Sequence, residues 1–261
     1  MSGTPATLAS RSLPATNKKV IDLLLTHDPW GGKILDLGSG EGYLSSLIVK
    51  ELLDRGCVPL DKHLSACDLF PGEYGVEGIK CDFCDFNSSL PYEDHSFNAV
   101  CSVEVIEHLE NIFHYAREIS RVLKTGGVAV VTTPNILNIN SRLRFLATGF
   151  PLLFDPLPLS SQNPQDVSGH INPNSFYYLT YAFARAGFGE IKVHTDRLKN
   201  SARILTLPLY GPIRLFEKIV FHKLRKKERQ IYEENLGAIQ QINSSRLLLG
   251  RTAIIEAVKK G

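Results

Sequence analysis

The chain has 261 residues, 43% of them hydrophobic and 21% charged, with a formal charge of +2. That is apolar material for a sizeable core, which excludes a disordered or fibrous chain and a disulfide-stapled miniprotein. The overall charge gives no case for nucleic acid, although ten Lys/Arg against two Glu make Arg197 to Arg229 locally basic by +8. Five cysteines, an odd number, with no signal peptide ahead of them predict reduced thiols in the cytoplasm. The string Cys81-Asp82-Phe83-Cys84 is a single CxxC without a second pair and reads as ordinary thiols.

In chain order, residues 1–16 read as a loose Ser/Thr/Pro/Ala lead-in, and NKKVIDLLL from Asn17 as a short amphipathic helix. A strand over Lys33–Leu37 runs into the turn GSGEG and a helix that ends at Gly56. Further strands are expected at Leu64–Leu69, Gly78–Cys81 and Phe97–Ser102. The helix IFHYAREISRVLK leads through a turn at Thr125-Gly126-Gly127 to a buried strand over 128–133. Short apolar strands alternating with helices imply an α/β fold with a parallel sheet covered on both faces. Pro134 to Gly169 breaks this rhythm with prolines, glycines and the phenylalanines 145, 150 and 154, so residues 134–172 are assigned to a lid or acceptor-pocket wall. A helix from about Pro173 to Ala186, a strand GEIKVHTD, a mainly helical insertion over 197–250 and a last strand TAIIEAVKK complete the chain.

Gly38, Gly40 and Gly42 alternate where the first strand becomes a helix. Glycine turns the backbone through positive φ and leaves no side chain between the chain and a ligand, and a helix amino terminus offers unpaired N–H groups. GxGxG differs from the GxGxxG of a nicotinamide site, and Asp36 would repel a pyrophosphate while accepting a sulfonium ligand with a free amino group. These features favour S-adenosylmethionine over a dinucleotide. Asp68, 26 residues beyond Gly42, can accept both ribose hydroxyls. Asp85 with Phe86 can receive an adenine, with Asp82 as the competing acid and a core position as the competing role for Phe86.

ILDLGSGEG, CDLF, DFNSSLPYEDHSFNAV, SVEVIEHLEN and REISRVLKTGGVAVVTTPN resemble the successive motifs of class I S-adenosylmethionine-dependent methyltransferases. The resemblance spans roughly residues 17–135; Asn98 stands where the family often has an acid. It implies a single Rossmann-like domain over residues 1–261, with a seven-stranded sheet of order 3-2-1-4-5-7-6 and only the last strand antiparallel. It also implies that Gly38 and Gly40 approach the methionine part of the cofactor, that Asp68 takes the ribose and that Asp85 and Phe86 lie at the adenine. Ser102 completes the candidate cofactor set.

Glu104, Glu107 and His108 stand at i, i+3 and i+4, one helix face if the chain is already helical at Val103. With His170 from SGHINP they make a ligand set suited to Mg, Mn or Zn, which would lower the pKa of a substrate hydroxyl. The ExxEH pattern resembles that of metal-dependent small-RNA 2'-O-methyltransferases and of quinone-ring O-methyltransferases. Two other uses stay open: His170, with His108, as a metal-free base or substrate contact, and a packing or helix-start role for the Glu-His pair.

The segment TPNILNINSRLRFLATGFPLLFDP with GHINP resembles methyltransferases of bacterial glycans and secondary metabolites. O-methylation of a saccharide or other small metabolite is the expectation, with a quinone or polyketide phenol as the alternative acceptor. A nucleotide-dependent oxidoreductase and a non-catalytic methyltransferase-like scaffold are the rival classes. In the insertion, the apolar residues between Ile204 and Phe221 either cover the sheet or a second copy of the chain, or enter the inner face of a membrane while Arg225, Lys226 and Lys227 meet anionic headgroups. Pro208 and Pro212 are expected to shorten any helix there, which favours the folded cap.

Overall fold

The structure, a computed structural model, describes residue 8, residues 12–160 and residues 169–261. Most of the lead-in, and residues 161–168 of the expected lid, lie outside the described residues. Helix α1 (Pro14–His27) starts earlier than expected because Pro14 sits in its first turn, where a fixed φ and a missing N–H cost nothing. It buries Val20, Ile21, Leu23 and Leu24.

Strand β1 (Ile34–Leu37) is buried at all four positions, as a central parallel strand must be. Helix α2 (Tyr43–Asp54) follows the glycine turn, and β2 (Leu64–Asp68), β3 (Cys81–Phe83) and β4 (Phe97–Val103) come next. β3 lies later than its expected span because its register is set by β2, which pairs Ala66 with Cys81 and Asp68 with Phe83. Helix α3 (Ile112–Val122) begins where the Asn111 side chain accepts the His114 N–H, and β5 (Leu123–Pro134) follows without a loop. The expected turn at Thr125-Gly126-Gly127 lies inside β5: Leu123 already pairs with Phe97, and the glycines absorb a register shift before Val128 pairs with Ala99.

The lid contains a helix, α4 (Ile139–Thr148), capped by the Asn138 side chain on the Asn140 N–H. After it come α5 (Phe176–Arg185), β6 (Phe188–His194), α6 (Asn200–Lys227), α7 (Arg229–Glu234), α8 (Leu236–Ile242), α9 (Ser245–Leu249) and β7 (Thr252–Lys259). The sheet order is β3-β2-β1-β4-β5-β7-β6, with β7 antiparallel to both neighbours. One face is covered by α1, the 3-10 turn Pro29–Gly31 and α2 through Leu24, Trp30, Leu44 and Ile48. The other is covered by α3 and α5 through Tyr115, Ile119, Phe176 and Phe183.

α6 corrects the expectation for the insertion. It runs 28 residues through both prolines, and of these only Ala202 and Thr206 are buried. The carbonyls that Pro208 and Pro212 leave unpaired belong to Ile204 and Pro208, both exposed, so water can satisfy them and the helix continues. Among the described residues no helix is long and apolar enough to cross a membrane.

The strand order reverses between β1 and β4, so the crevice at their carboxyl ends is the place where such sheets bind ligands. The glycine turn leaves β1 there, and the Glu104–His108 loop leaves β4 beside it.

Candidate active site

The glycine turn is fixed from below. Gly38 and Ser39 donate their N–H groups to the Cys67 carbonyl at 2.9 and 3.1 Å, and Gly40 N–H donates to Asp68 Oδ2 at 2.8 Å. The other Asp68 oxygen accepts the Phe70 N–H at 2.8 Å, so this one carboxylate orders the loops after both β1 and β2. A side chain at Gly38 would lie 2.2 Å from Val105 Cγ2, and one at Gly42 2.5 Å from Val76 Cγ2. At those two positions packing by itself already requires glycine. Gly40, at φ +51°, faces open space with nothing within 4 Å, which is the cradle a bound ligand would occupy.

Asp36 is 1% exposed and accepts the Ser45 hydroxyl at 2.6 Å. Burial, aided by the nearby Asp68 charge and opposed by the Ser45 hydrogen bond, raises its pKa to about 6. A folded-state pKa above the unfolded value makes stability fall as pH rises from about 4 to about 6, by about 3 kcal/mol. Asp36→Asn should therefore be more stable than the wild type at pH 8 and equal to it near pH 4, measured by urea unfolding. No stability gain at pH 8 would show that the buried charge carries no cost.

Asp85 is exposed and held locally, accepting the Asn87 N–H at 2.9 Å. Phe86 is buried in the core, edge-on to Tyr115 with ring centroids 6.2 Å apart. Asp82 accepts from Lys80 Nζ and Tyr92 Oη. Ser102 is fully buried, and its hydroxyl lies 2.6 Å from Tyr115 Oη.

The ExxEH segment is not the helix its spacing suggested. Glu104 has φ +56°, and only Ile106–His108 form a single 3-10 turn. As a result Glu104 turns toward β5, where its Oε1 accepts the Thr132 hydroxyl at 3.0 Å, and it leaves the ligand set. Glu107, His108 and His170 do come together, with ligand atoms all within 4.8 Å of one another. His108 Nδ1 lies 3.1 Å from the Gly169 carbonyl and His170 Nδ1 2.8 Å from the Leu153 carbonyl. A carbonyl can only accept, so both Nδ1 atoms carry the proton, which leaves both Nε2 lone pairs free to bind a proton or a metal.

Glu107 is fully buried and neither carboxylate oxygen has a hydrogen-bond partner. Desolvation, then the Glu104 charge, pushes its pKa well above the carboxylate range. Burial and the His108 ring lower the His170 pKa, which keeps this imidazole neutral at pH 7. An orphaned buried carboxylate beside two free imidazole nitrogens fits a divalent cation. Sequence reasoning missed what holds the group: the backbone carbonyls of Leu153 and Gly169, Phe154 against His170 at 5.2 Å, and the Ile171 and Asn172 N–H groups on the Glu107 carbonyl at 3.0 Å. No residue type announces a carbonyl contact.

Residues 35–131 match the family of the methyltransferase domain. Over 114 residues, 43% of this chain, the sequence is 30% identical to a ubiquinone/menaquinone biosynthesis C-methyltransferase of Desulfotalea psychrophila, covering 46% of it. It is 23% identical to a ubiquinone biosynthesis O-methyltransferase of Rickettsia bellii, over 56% of this chain and 58% of that protein. The chain thus spans about half the length of each relative. A solved SAM-dependent methyltransferase from Archaeoglobus fulgidus shares the fold, with a TM-score of 0.54 at 16% identity over 93% of this chain and 94% of that one. The match over residues 35–131 is thus to a methyltransferase domain, and the fold is shared with a solved methyltransferase.

Proposed function

We propose that the chain is an S-adenosylmethionine-dependent methyltransferase of a small molecule and that it methylates a phenolic hydroxyl of a quinone-type ring. The observation that carries the reading is the Glu107, His108 and His170 group, on a loop whose Val105 packs against Gly38 of the cofactor turn. The acceptor class is supported by the quinone-biosynthesis relatives, which weigh toward a phenol and away from the saccharide that the sequence favoured.

When bound, S-adenosylmethionine supplies an electrophilic methyl group. Asp36, Gly40 and Asp68 would hold it, Asp85 would take the adenine, and the protein's remaining task is to align and deprotonate the acceptor. His170 Nε2, with its Nδ1 proton fixed on Leu153, is the general base, and His108 Nε2 is its neighbour at a ring separation of 4.9 Å. Alternatively, Glu107, His108 and His170 would hold a divalent cation, whose Lewis acidity would lower the pKa of an acceptor hydroxyl; the His170 Nε2 lone pair is then a ligand and no longer the base. A phenol, with a pKa of about 10, needs such help far less than a sugar hydroxyl does.

The test is methyl transfer to a panel of dihydroxylated aromatic rings and saccharides, each with and without prior removal of metal. We expect oxygen methylation of the phenols at least tenfold faster than of any sugar. Methylation of carbon, or of sugars alone, would overturn the acceptor assignment; unchanged turnover after exhaustive demetallation would remove the metal.

A further inference from the structure

Beyond the first turns of α6, the helix stands clear of the core while packing along α4, α7 and α9. Ile204, Leu207 and Leu215 are 69%, 79% and 59% exposed and share one helix face, spaced at i, i+3 and i+11. The same face continues into exposed Lys218, His222 and Arg225. Leu146, at the tip of α4, is 84% exposed. Between α4 and α6 lies an apolar groove of about 450 Å³, lined by Ile139, Leu143, Leu146, Leu209, Ile213 and Phe216. The groove residues of α6 lie on the side of the helix opposite Ile204, Leu207 and Leu215, so the exposed stripe is a separate apolar surface that α4 does not cover.

We propose that the outer face of α6, turned away from α4, docks on an anionic phospholipid bilayer, its apolar stripe in the interface and its basic end among the headgroups. Charge decides the occupant. α6 carries seven Lys/Arg and one acid, and that acid, Glu217, is tied to Arg214 at 2.5 Å. A two-fold dimer about the middle of α6 would set the basic end of one helix against the apolar stripe of the other, leaving charges desolvated without partners. A bilayer offers apolar depth and anionic charge side by side, and the stripe is that of a helix lying in the interface. The inference rests on this surface alone and stands apart from the methyl-transfer reading.

The experiment is flotation of the full chain with vesicles of phosphatidylcholine alone and of phosphatidylcholine mixed with phosphatidylglycerol. Binding is expected to the mixed vesicles only, falling as salt rises. Replacing Arg225, Lys226 and Lys227 by Gln should weaken partitioning about 100-fold, and Leu207→Ser with Leu215→Ser about tenfold or more. All five side chains are exposed, so both variants should keep the wild-type circular dichroism. Three results would each overturn the assignment: no binding to either vesicle, binding that neither variant changes, or a dimer in light scattering that the Leu→Ser pair dissolves.

Discussion

Gly40→Val should lower S-adenosylmethionine affinity at least about 100-fold in a folded chain, whereas Gly38→Val should damage the fold itself. The two glycines are two residues apart and both have positive φ, yet they meet different surroundings. The Gly38 position is filled by Val105 at 2.2 Å, so a side chain there must push the loop after β4 off the sheet. At Gly40 the space is open, and a side chain would occupy only what a ligand needs. Holding valine at φ +51° costs about 1–2 kcal/mol, a loss of a few degrees in Tm for a domain of this size. Donor affinity in Gly40→Val should fall at least about 100-fold, since the branched side chain and the cofactor exclude each other. Calorimetric titration of wild type and Gly40→Val decides the matter: equal affinities would remove the turn from the cofactor site.

His170→Ala should lower kcat by about 10²–10⁴ while leaving donor affinity within about twofold, the signature of a lost general base. The sign of the pH dependence follows from the imidazole's surroundings. Burial and His108 place its pKa below the ordinary 6.5, so the base is free throughout the neutral range and activity is lost only as pH falls through that lowered value. The acid limb of kcat/KM should disappear in His170→Ala. A variant with wild-type kcat and a raised KM would make His170 an acceptor contact, and an unchanged acid limb would assign the titration to another group.

Two costly features stand three residues apart in the loop beside this base. Glu104 holds a left-handed backbone, a conformation worth about 1–3 kcal/mol of strain in a residue other than glycine. Glu107 is buried with both oxygens unpaired, where the lost hydration of such a group costs about 1–3 kcal/mol or more. Neither adds to the core. Together they set Glu107 beside His108 and His170, on the loop that follows β4, the central strand of the sheet.

Much of this was legible in the residue order. Strand-to-helix alternation gave the parallel sheet, because apolar runs of four to seven residues can be buried only between two helical layers. The alternating glycines and Asp68 marked the ligand turn for the same local reason, since positive φ and exposed N–H groups depend on near neighbours. The roles of individual glycines, the path of the ExxEH loop and the fate of the insertion were settled only by contacts distant in sequence. Val105 reaches back 67 positions to fill the space at Gly38, and Thr132 draws Glu104 away from the metal ligands its spacing matched. Ser102 is taken by Tyr115, which no local pattern announces. The prolines of α6 break no helix because their orphaned carbonyls face water, a matter of which side of the helix the fold leaves exposed. Local chemistry thus fixed the sheet's strands, the glycine turn and the types of group available, and tertiary packing decided which of those groups meet.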